Sequence, residues 1–151
     1  MAQLRGIVER RGAFVQRERR IHLANGVVSF DNGGQLLAFS PEFVSRNRSP
    51  IVFDENAKCE RFLHELVYPA VHPEDAVLLQ KYAGMCLLGN NLVQRILILD
   101  GESARGKTQF ANVVQGIVGR ENITQLRTKF LGDRFETFRF LKKTLLIGVD
   151  V

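Results

Sequence analysis

The sequence predicts an α/β fold in which a small N-terminal hairpin and a helical region precede the beginning of a parallel sheet with flanking helices. Two apolar runs, at residues 96–99 and 144–149, are typical of strands covered on both faces in a parallel sheet. Between them lies a segment with apolar residues at helical spacing. We therefore expect these runs to begin a parallel α/β sheet with helices beside it.

The composition is that of a globular protein with one domain or two small ones. The chain has 151 residues, of which 45% are hydrophobic and 25% charged. No apolar run approaches the roughly 18 residues of a membrane span, and no apolar signal core follows the N-terminal arginines. The sequence therefore predicts a cytoplasmic protein without a membrane partner.

The charge balance favours polyanionic partners. The 21 basic and 16 acidic residues give a formal net charge of +5. Residues 1–20 hold six arginines and two glutamates, so they form either a phosphate-contacting arm or a solvated lead-in.

The first predicted unit spans residues 1–50. Two short β-prone runs, residues 26–30 and 35–39, flank the turn-rich residues 31–34, which predicts a hairpin. Residues 40–50 form a polar connection with prolines near both ends and mark a candidate boundary.

The second predicted unit, residues 51–92, is helical. Residues 51–53 predict a short extended piece at its start. Apolar residues recur at helical spacing within residues 59–67, and Pro73 with two acidic residues opens a second helix through about Leu88. Acidic residues in a first turn suit the helix dipole.

The third predicted unit, residues 93–151, begins with the apolar run and a glycine-rich loop. The helix predicted after the loop ends at Gly119, and its apolar face comprises Phe110, Val113, Val114, Ile117 and Val118. A basic, phenylalanine-rich stretch follows, with Phe130, Phe135, Phe138 and Phe140. These rings either stack on single-stranded bases or, as we favour, enter the core.

The glycine-rich loop has the pattern G-x-x-x-x-G-K-[ST]. Its residues are Gly101, Glu102, Ser103, Ala104, Arg105, Gly106, Lys107 and Thr108. The glycines let backbone N–H groups approach phosphate oxygens, the lysine reaches the β- and γ-phosphates, and the hydroxyl binds magnesium. A turn that only joins a strand to a helix has no need of Lys107 or Thr108. The loop therefore predicts a P-loop NTPase.

Asp150 ends the second apolar run. A P-loop NTPase needs an acid at such a strand end, to hold magnesium or polarise the attacking water. The alternative for Asp150 is an ordinary carboxylate that caps whatever follows the strand.

The chain from about Ile21 onward resembles the phage and plasmid primase-helicases of helicase superfamily 3, including the poxvirus-like branch. The segments that carry the resemblance are residues 24–28, 59–63, 79–88, 101–110, 135–136 and 141–146. The resemblance implies an incomplete AAA+-like parallel sheet and ATP-driven DNA unwinding at replication forks.

The resemblance also implies partners and residue roles. The motor of that family is a ring, commonly a hexamer, that grips single-stranded or fork DNA. ATP and Mg²⁺ would bind at residues 101–108, with Lys107 and Asp150 catalytic and with Thr108 and Asp150 on the metal.

Some positions depart from the family pattern, and other functions stay open. The family commonly has glycine at the position of Ser103, asparagine at that of Arg105 and glutamate at that of Asp150. The chain ends at Val151, before the family's polar sensor residue, which predicts a fragment or truncated copy. The alternatives are another P-loop NTPase, such as a helicase loader or small-molecule kinase, and a non-catalytic DNA-binding or assembly module.

Overall fold

The computed structural model describes residues 19–31, 33–90 and 93–148 as a mixed α/β protein. The strands are β1 Arg20–Leu23, β2 Gly26–Ser29, β3 Gln35–Leu37, β4 Ile123–Gln125 and β5 Leu145–Ile147; the helices are α1 Pro73–Leu88 and α2 Lys107–Val118. Among these residues, no helix combines the length and apolar character that crossing a bilayer requires.

An antiparallel sheet in the order β1-β2-β3 forms the N-terminal part. The predicted hairpin is confirmed as β2 and β3. Strand β1 was not predicted, because its arginine was assigned to the basic lead-in. The predicted extended piece lies beside the β1–β2 turn, where the Asn25 side chain donates to the Phe53 carbonyl and accepts from the Phe53 N–H, both at 2.9 Å.

The helical region follows the sequence pattern with one change of helix type. Helix α1 has the predicted bounds and ends at Gly89, which adopts a left-handed conformation. The segment predicted as an α-helix over residues 59–67 is instead a π-helix at Phe62–Val67, where the Tyr68 N–H donates to the Leu63 carbonyl at 2.8 Å. Helices with hydrogen bonds between residues five apart are rare in proteins, and they are mostly a single turn long.

The main core lies between the two helices. Its buried members are Val67, Ala76, Leu79, Cys86, Phe110, Val114 and Val118. A second cluster under the N-terminal sheet contains Ile21, Leu23 and Val28, and α1 reaches it through Leu87 and Leu88. Helix α1 therefore connects the sheet to the helical core.

Helix α2 follows its predicted apolar face with one exception. Val113 is 37% exposed, whereas Phe110, Val114 and Val118 are buried. Gly119 ends the helix, as predicted, and adopts a φ of 90°.

The apolar run before the loop is not a paired strand, so the prediction of a strand covered on both faces was wrong. Leu97 and Leu99 pack against the main core, whereas Ile96 and Ile98 are 79% and 76% exposed. Among the described residues no strand pairs with this run. The main core lies on one side of this extended segment, so the side chains on its other side face solvent.

Strands β4 and β5 form the parallel pair of the structure. The run predicted at residues 144–150 is a strand at Leu145–Ile147, while Asp150 lies outside the described residues. Strand β4 was not predicted, because its three residues are too few to show a period. A short parallel pair is thus present, but it joins β5 to β4, whereas the expected sheet also contained the run at residues 96–99.

The connection between β4 and β5 is organised around a carboxylate. Glu136 is 2% exposed and is hydrogen bonded to Arg127 and Arg139. Phe135 and Phe138 are 73% and 70% exposed, so the prediction that they enter the core was wrong. The turn that buries Glu136 directs these neighbouring rings toward solvent.

Stability should fall in acid through Glu136. The hydrogen bonds from Arg127, together with the charges of Arg127 and Arg139, hold the pKa of Glu136 below its ordinary value although burial raises it. A lowered pKa favours folding above the unfolded-state value of about 4.3, and this contribution disappears as pH falls through the folded-state pKa. We expect Glu136→Gln to lower Tm at pH 7. At pH 3 the Tm of the variant should lie closer to that of the original protein.

The control for this experiment is Glu65→Gln. Glu65 also forms a two-point pair with an arginine, Arg61, but both side chains are more than half exposed. Exposed pairs contribute little, so its Tm difference should be small at every pH. Equal pH profiles for the two variants would contradict the role of Glu136.

Candidate functional site

The candidate site is the loop of residues 101–106 together with the start of α2. Three loop residues have positive φ angles: Gly101 at 141°, Ala104 at 61° and Gly106 at 86°. These angles bend the chain back on itself between the apolar run and the helix. The loop consequently forms a curved backbone surface rather than a straight connection.

Gly106 is required at its position for two reasons. Its φ of 86° lies in the left-handed region, which side chains disfavour. A Cβ atom there would also lie 2.9 Å from Cδ1 of Leu66 in the π-helical segment. The glycine therefore lets the beginning of α2 lie directly against that segment.

Lys107 folds back over the loop. Its ammonium group donates hydrogen bonds to the carbonyl oxygens of Gly101 at 2.5 Å and Glu102 at 2.7 Å. A cation in a first helical turn is unfavourable with respect to the helix dipole, and these two carbonyls compensate for it. The charge is held at the loop and does not extend freely into solvent.

The first turn of α2 presents amide donors. The first intrahelical bond runs from the Phe110 N–H to the Gly106 carbonyl, at 2.9 Å. Within the described chain, no side chain caps this end and no acidic residue lies in the first turn. The N–H groups of Lys107, Thr108 and Gln109 therefore lack intrahelical acceptors, which is the arrangement that binds anions.

A cavity of about 510 Å³ opens beside these groups. One wall is the loop and first helical turn, residues 103–109, and the other comprises Glu65, Leu66, Pro69 and Ala70. The Glu65 carboxylate is held by Arg61. Arg105 pairs with Glu102 at 2.9 Å, so its charge is partly balanced.

The structure brings together most of the predicted site residues. Ser103, Ala104, Arg105, Gly106, Lys107 and Thr108 all line the cavity. Gly101 and Glu102 lie behind it and contribute through their carbonyls to Lys107. Asp150, the predicted acid, lies outside the described residues.

A carboxylate metal site is not formed by the described residues. No three His, Cys, Asp or Glu side chains come together among them. The Thr108 hydroxyl is exposed at the cavity and makes no hydrogen bond within the described chain. A metal at this site would be held by Thr108 together with oxygens of the ligand.

Sequence reasoning missed the second wall of the cavity. Leu66 was predicted as a residue of an apolar helix face, and nothing in the motif indicates which distant segment faces the loop. The available signal was Gly106 itself, because a glycine allows another part of the molecule to approach the backbone closely. The glycine does not indicate which segment approaches.

No protein-family model matches the chain, and the search of curated proteins likewise found no match. What the site does is therefore inferred from its own residues.

Gly106→Ala should destabilise the protein by roughly 1 to 3 kcal/mol. The alanine would have to adopt a left-handed backbone conformation, and its Cβ would lie 2.9 Å from Cδ1 of Leu66. Gly116→Ala, in the middle of the same helix with nothing within 4 Å of the added Cβ, should stabilise it by about 0.5 to 1 kcal/mol. Urea denaturation measures both. Shifts of the same sign would contradict the close approach of Gly106 and Leu66.

Proposed function

We propose that this chain is the nucleotide-binding portion of an ATP-dependent replicative DNA helicase of the primase-helicase type. The observation that carries the proposal is the convergence of unpaired α2 amides, the Lys107 ammonium group and the Thr108 hydroxyl on one cavity. This combination suits a nucleoside triphosphate bound with Mg²⁺.

The position of Lys107 favours phosphate binding. In the free protein its ammonium group bonds two neutral carbonyls. Replacing a neutral acceptor by a phosphate oxygen adds the attraction of opposite charges to each hydrogen bond. The loop therefore holds the lysine close to its working position at a small entropy cost.

Thr108 and Asp150 are the proposed metal-binding residues. Mg²⁺ would neutralise the charge on the phosphates. Thr108 lies in the first turn of α2, beside the amides that would receive the phosphates. Asp150 follows β5 in the sequence and would supply the acid, also positioning the attacking water.

The helicase assignment rests on the order of the segments that resemble primase-helicases, described in the sequence analysis. The net charge of +5 also suits a polyanionic partner. In this proposal the full motor is a ring that acts on single-stranded or fork DNA.

One observation favours a second candidate, a module that binds nucleotide without hydrolysing it. Among the described residues the cavity lining contains one carboxylate, Glu65, and Arg61 holds it. Hydrolysis needs a carboxylate available for metal or water. Robust turnover by the 151-residue chain would exclude this candidate.

Lys107→Ala should abolish ATP binding in titration calorimetry. Each hydrogen bond between charged groups contributes about 1.5 to 3 kcal/mol, so loss of two should weaken binding by roughly a hundredfold or more. The control is Lys81→Ala, an exposed lysine of α1 that lines neither the loop nor its cavity. Unchanged affinity in Lys107→Ala, with Tm confirming folding, would exclude the site.

DNA-stimulated ATPase activity separates a helicase from other P-loop proteins. The helicase proposal expects turnover to rise when single-stranded DNA is added to the assembled motor. A helicase loader or small-molecule kinase that binds ATP equally well would not show this stimulation by DNA alone.

A further inference from the structure

Three large apolar side chains lie exposed on the connection between β4 and β5. They are Phe135, Phe138 and Leu141, and we call them the apolar row. Their exposed fractions are 73%, 70% and 62%. The buried cores of the protein do not include any of the three.

The local backbone structure places these side chains in line. The segment Glu136–Phe140 is a 3₁₀-helix. The Phe138 N–H donates to the Phe135 carbonyl at 3.2 Å, and the Leu141 N–H donates to the Phe138 carbonyl at 3.3 Å. In such a helix, side chains three residues apart lie one above the other, and each residue advances about 2.0 Å. The apolar row therefore has a spacing of about 6 Å and a length of about 12 Å.

The apolar row is held in place from the inside of the turn. The buried Glu136 carboxylate accepts hydrogen bonds from Arg127 at 3.1 Å and from Arg139 at 3.2 Å. These bonds fix the backbone from which the row projects. A surface that is already ordered binds a partner at a smaller entropy cost, and exposed apolar patches on globular proteins mark interaction sites.

Cations flank the apolar row at both ends. Arg134 precedes the first ring and Lys142 follows the leucine, and both side chains are exposed. Within the described chain neither of them forms an ion pair. Residues 127–143 contain six basic and two acidic residues. Of the two acids, Glu136 is buried between arginines, and Asp133 accepts the N–H of the first ring residue at 2.8 Å.

We propose that the apolar row binds an acidic amphipathic helix of a partner protein. Apolar side chains four residues apart on an α-helix are about 6 Å apart along its axis, which matches the spacing of the row. Carboxylates beside those apolar positions would meet the cations at the two ends of the row. The backbone N–H groups of the row are already hydrogen bonded within the connection, so the row offers side chains and not a strand edge.

Charge and side-chain type favour this occupant over three others. A second copy that met the row with its own row would bring the cations Arg134 and Lys142 against like charges. Residues 1–18 carry four arginines and two glutamates, so they do not complement these cations. Single-stranded nucleic acid would use the two rings, but the third member of the row is a leucine, which does not provide a stacking face.

The test is fluorescence anisotropy of a labelled synthetic peptide of about 18 residues, long enough to form a helix. Its leucines repeat every four residues, and glutamate and alanine occupy the other positions. We expect it to bind the 151-residue chain. A peptide of the same composition, with the leucines distributed around the helix, should bind at least about tenfold more weakly.

Phe138→Ala should weaken binding of the acidic peptide by roughly tenfold or more, because burial of one large apolar side chain changes an equilibrium constant by about that factor. The ring is mostly exposed, so the variant retains its fold. The matched control is Phe30→Ala, which removes a 48% exposed ring just after β2. This control should bind the peptide as the original protein does.

Arg134→Glu tests the charge of the partner. It should weaken binding of the acidic peptide by roughly threefold and strengthen binding of a peptide with lysine in place of glutamate. The control Lys81→Glu makes the same change of net charge on α1 and should leave both affinities unchanged. Lys107→Ala should also bind the acidic peptide normally, because neither the row nor its flanking cations line the loop cavity.

Three outcomes would overturn the proposal. The first is equal affinity, or no measurable binding, for the two arrangements of leucine. The second is an equal loss of peptide affinity in Phe30→Ala and Phe138→Ala. The third is a loss of affinity for oligothymidylate in Phe138→Ala with peptide affinity unchanged, since the apolar row would then bind nucleic acid.

Discussion

The contact between Gly106 and Leu66 sets the arrangement on which the rest of the structure depends. Because Gly106 lacks a Cβ and adopts a left-handed conformation, α2 begins directly against the π-helical segment. That starting point directs the first-turn amides toward the cavity and lets Lys107 return over the loop. It also turns Phe110 toward the core shared with α1. One backbone conformation thus connects packing to the chemistry of the site.

The two ends of α2 both present positive charge, for different physical reasons. At the amino end, amide groups without intrahelical acceptors lie beside the Lys107 ammonium group. At the carboxyl end, the helix dipole is negative, and basic side chains from three other segments line a second cavity there. Basic side chains therefore line cavities at two separated places of this chain. The helix core between them holds these places at a fixed spacing.

The exposed apolar residues show that an apolar sequence does not by itself ensure burial in the fold. Residues 96–99 have the apolar character of a buried strand, but only Leu97 and Leu99 meet the core. In the β4–β5 connection, the ion pairs of Glu136 with Arg127 and Arg139 occupy the inside of the turn and leave the phenylalanines outside. The apolar character of a side chain sets the free energy that its burial would contribute. The segments that lie next to it in the fold decide whether it is buried.

The sequence by itself determined the loop, the bounds of α1 and the hairpin, because glycine, proline and short-range periodicity act between residues close along the chain. It also determined which residues of the loop meet at one cavity, since they are consecutive. Only the tertiary structure decided that Leu66 forms the facing wall, that β4 pairs with β5, and that cations from Arg20 to Lys143 meet at one cavity. These depend on contacts between segments far apart in sequence, which no local pattern encodes.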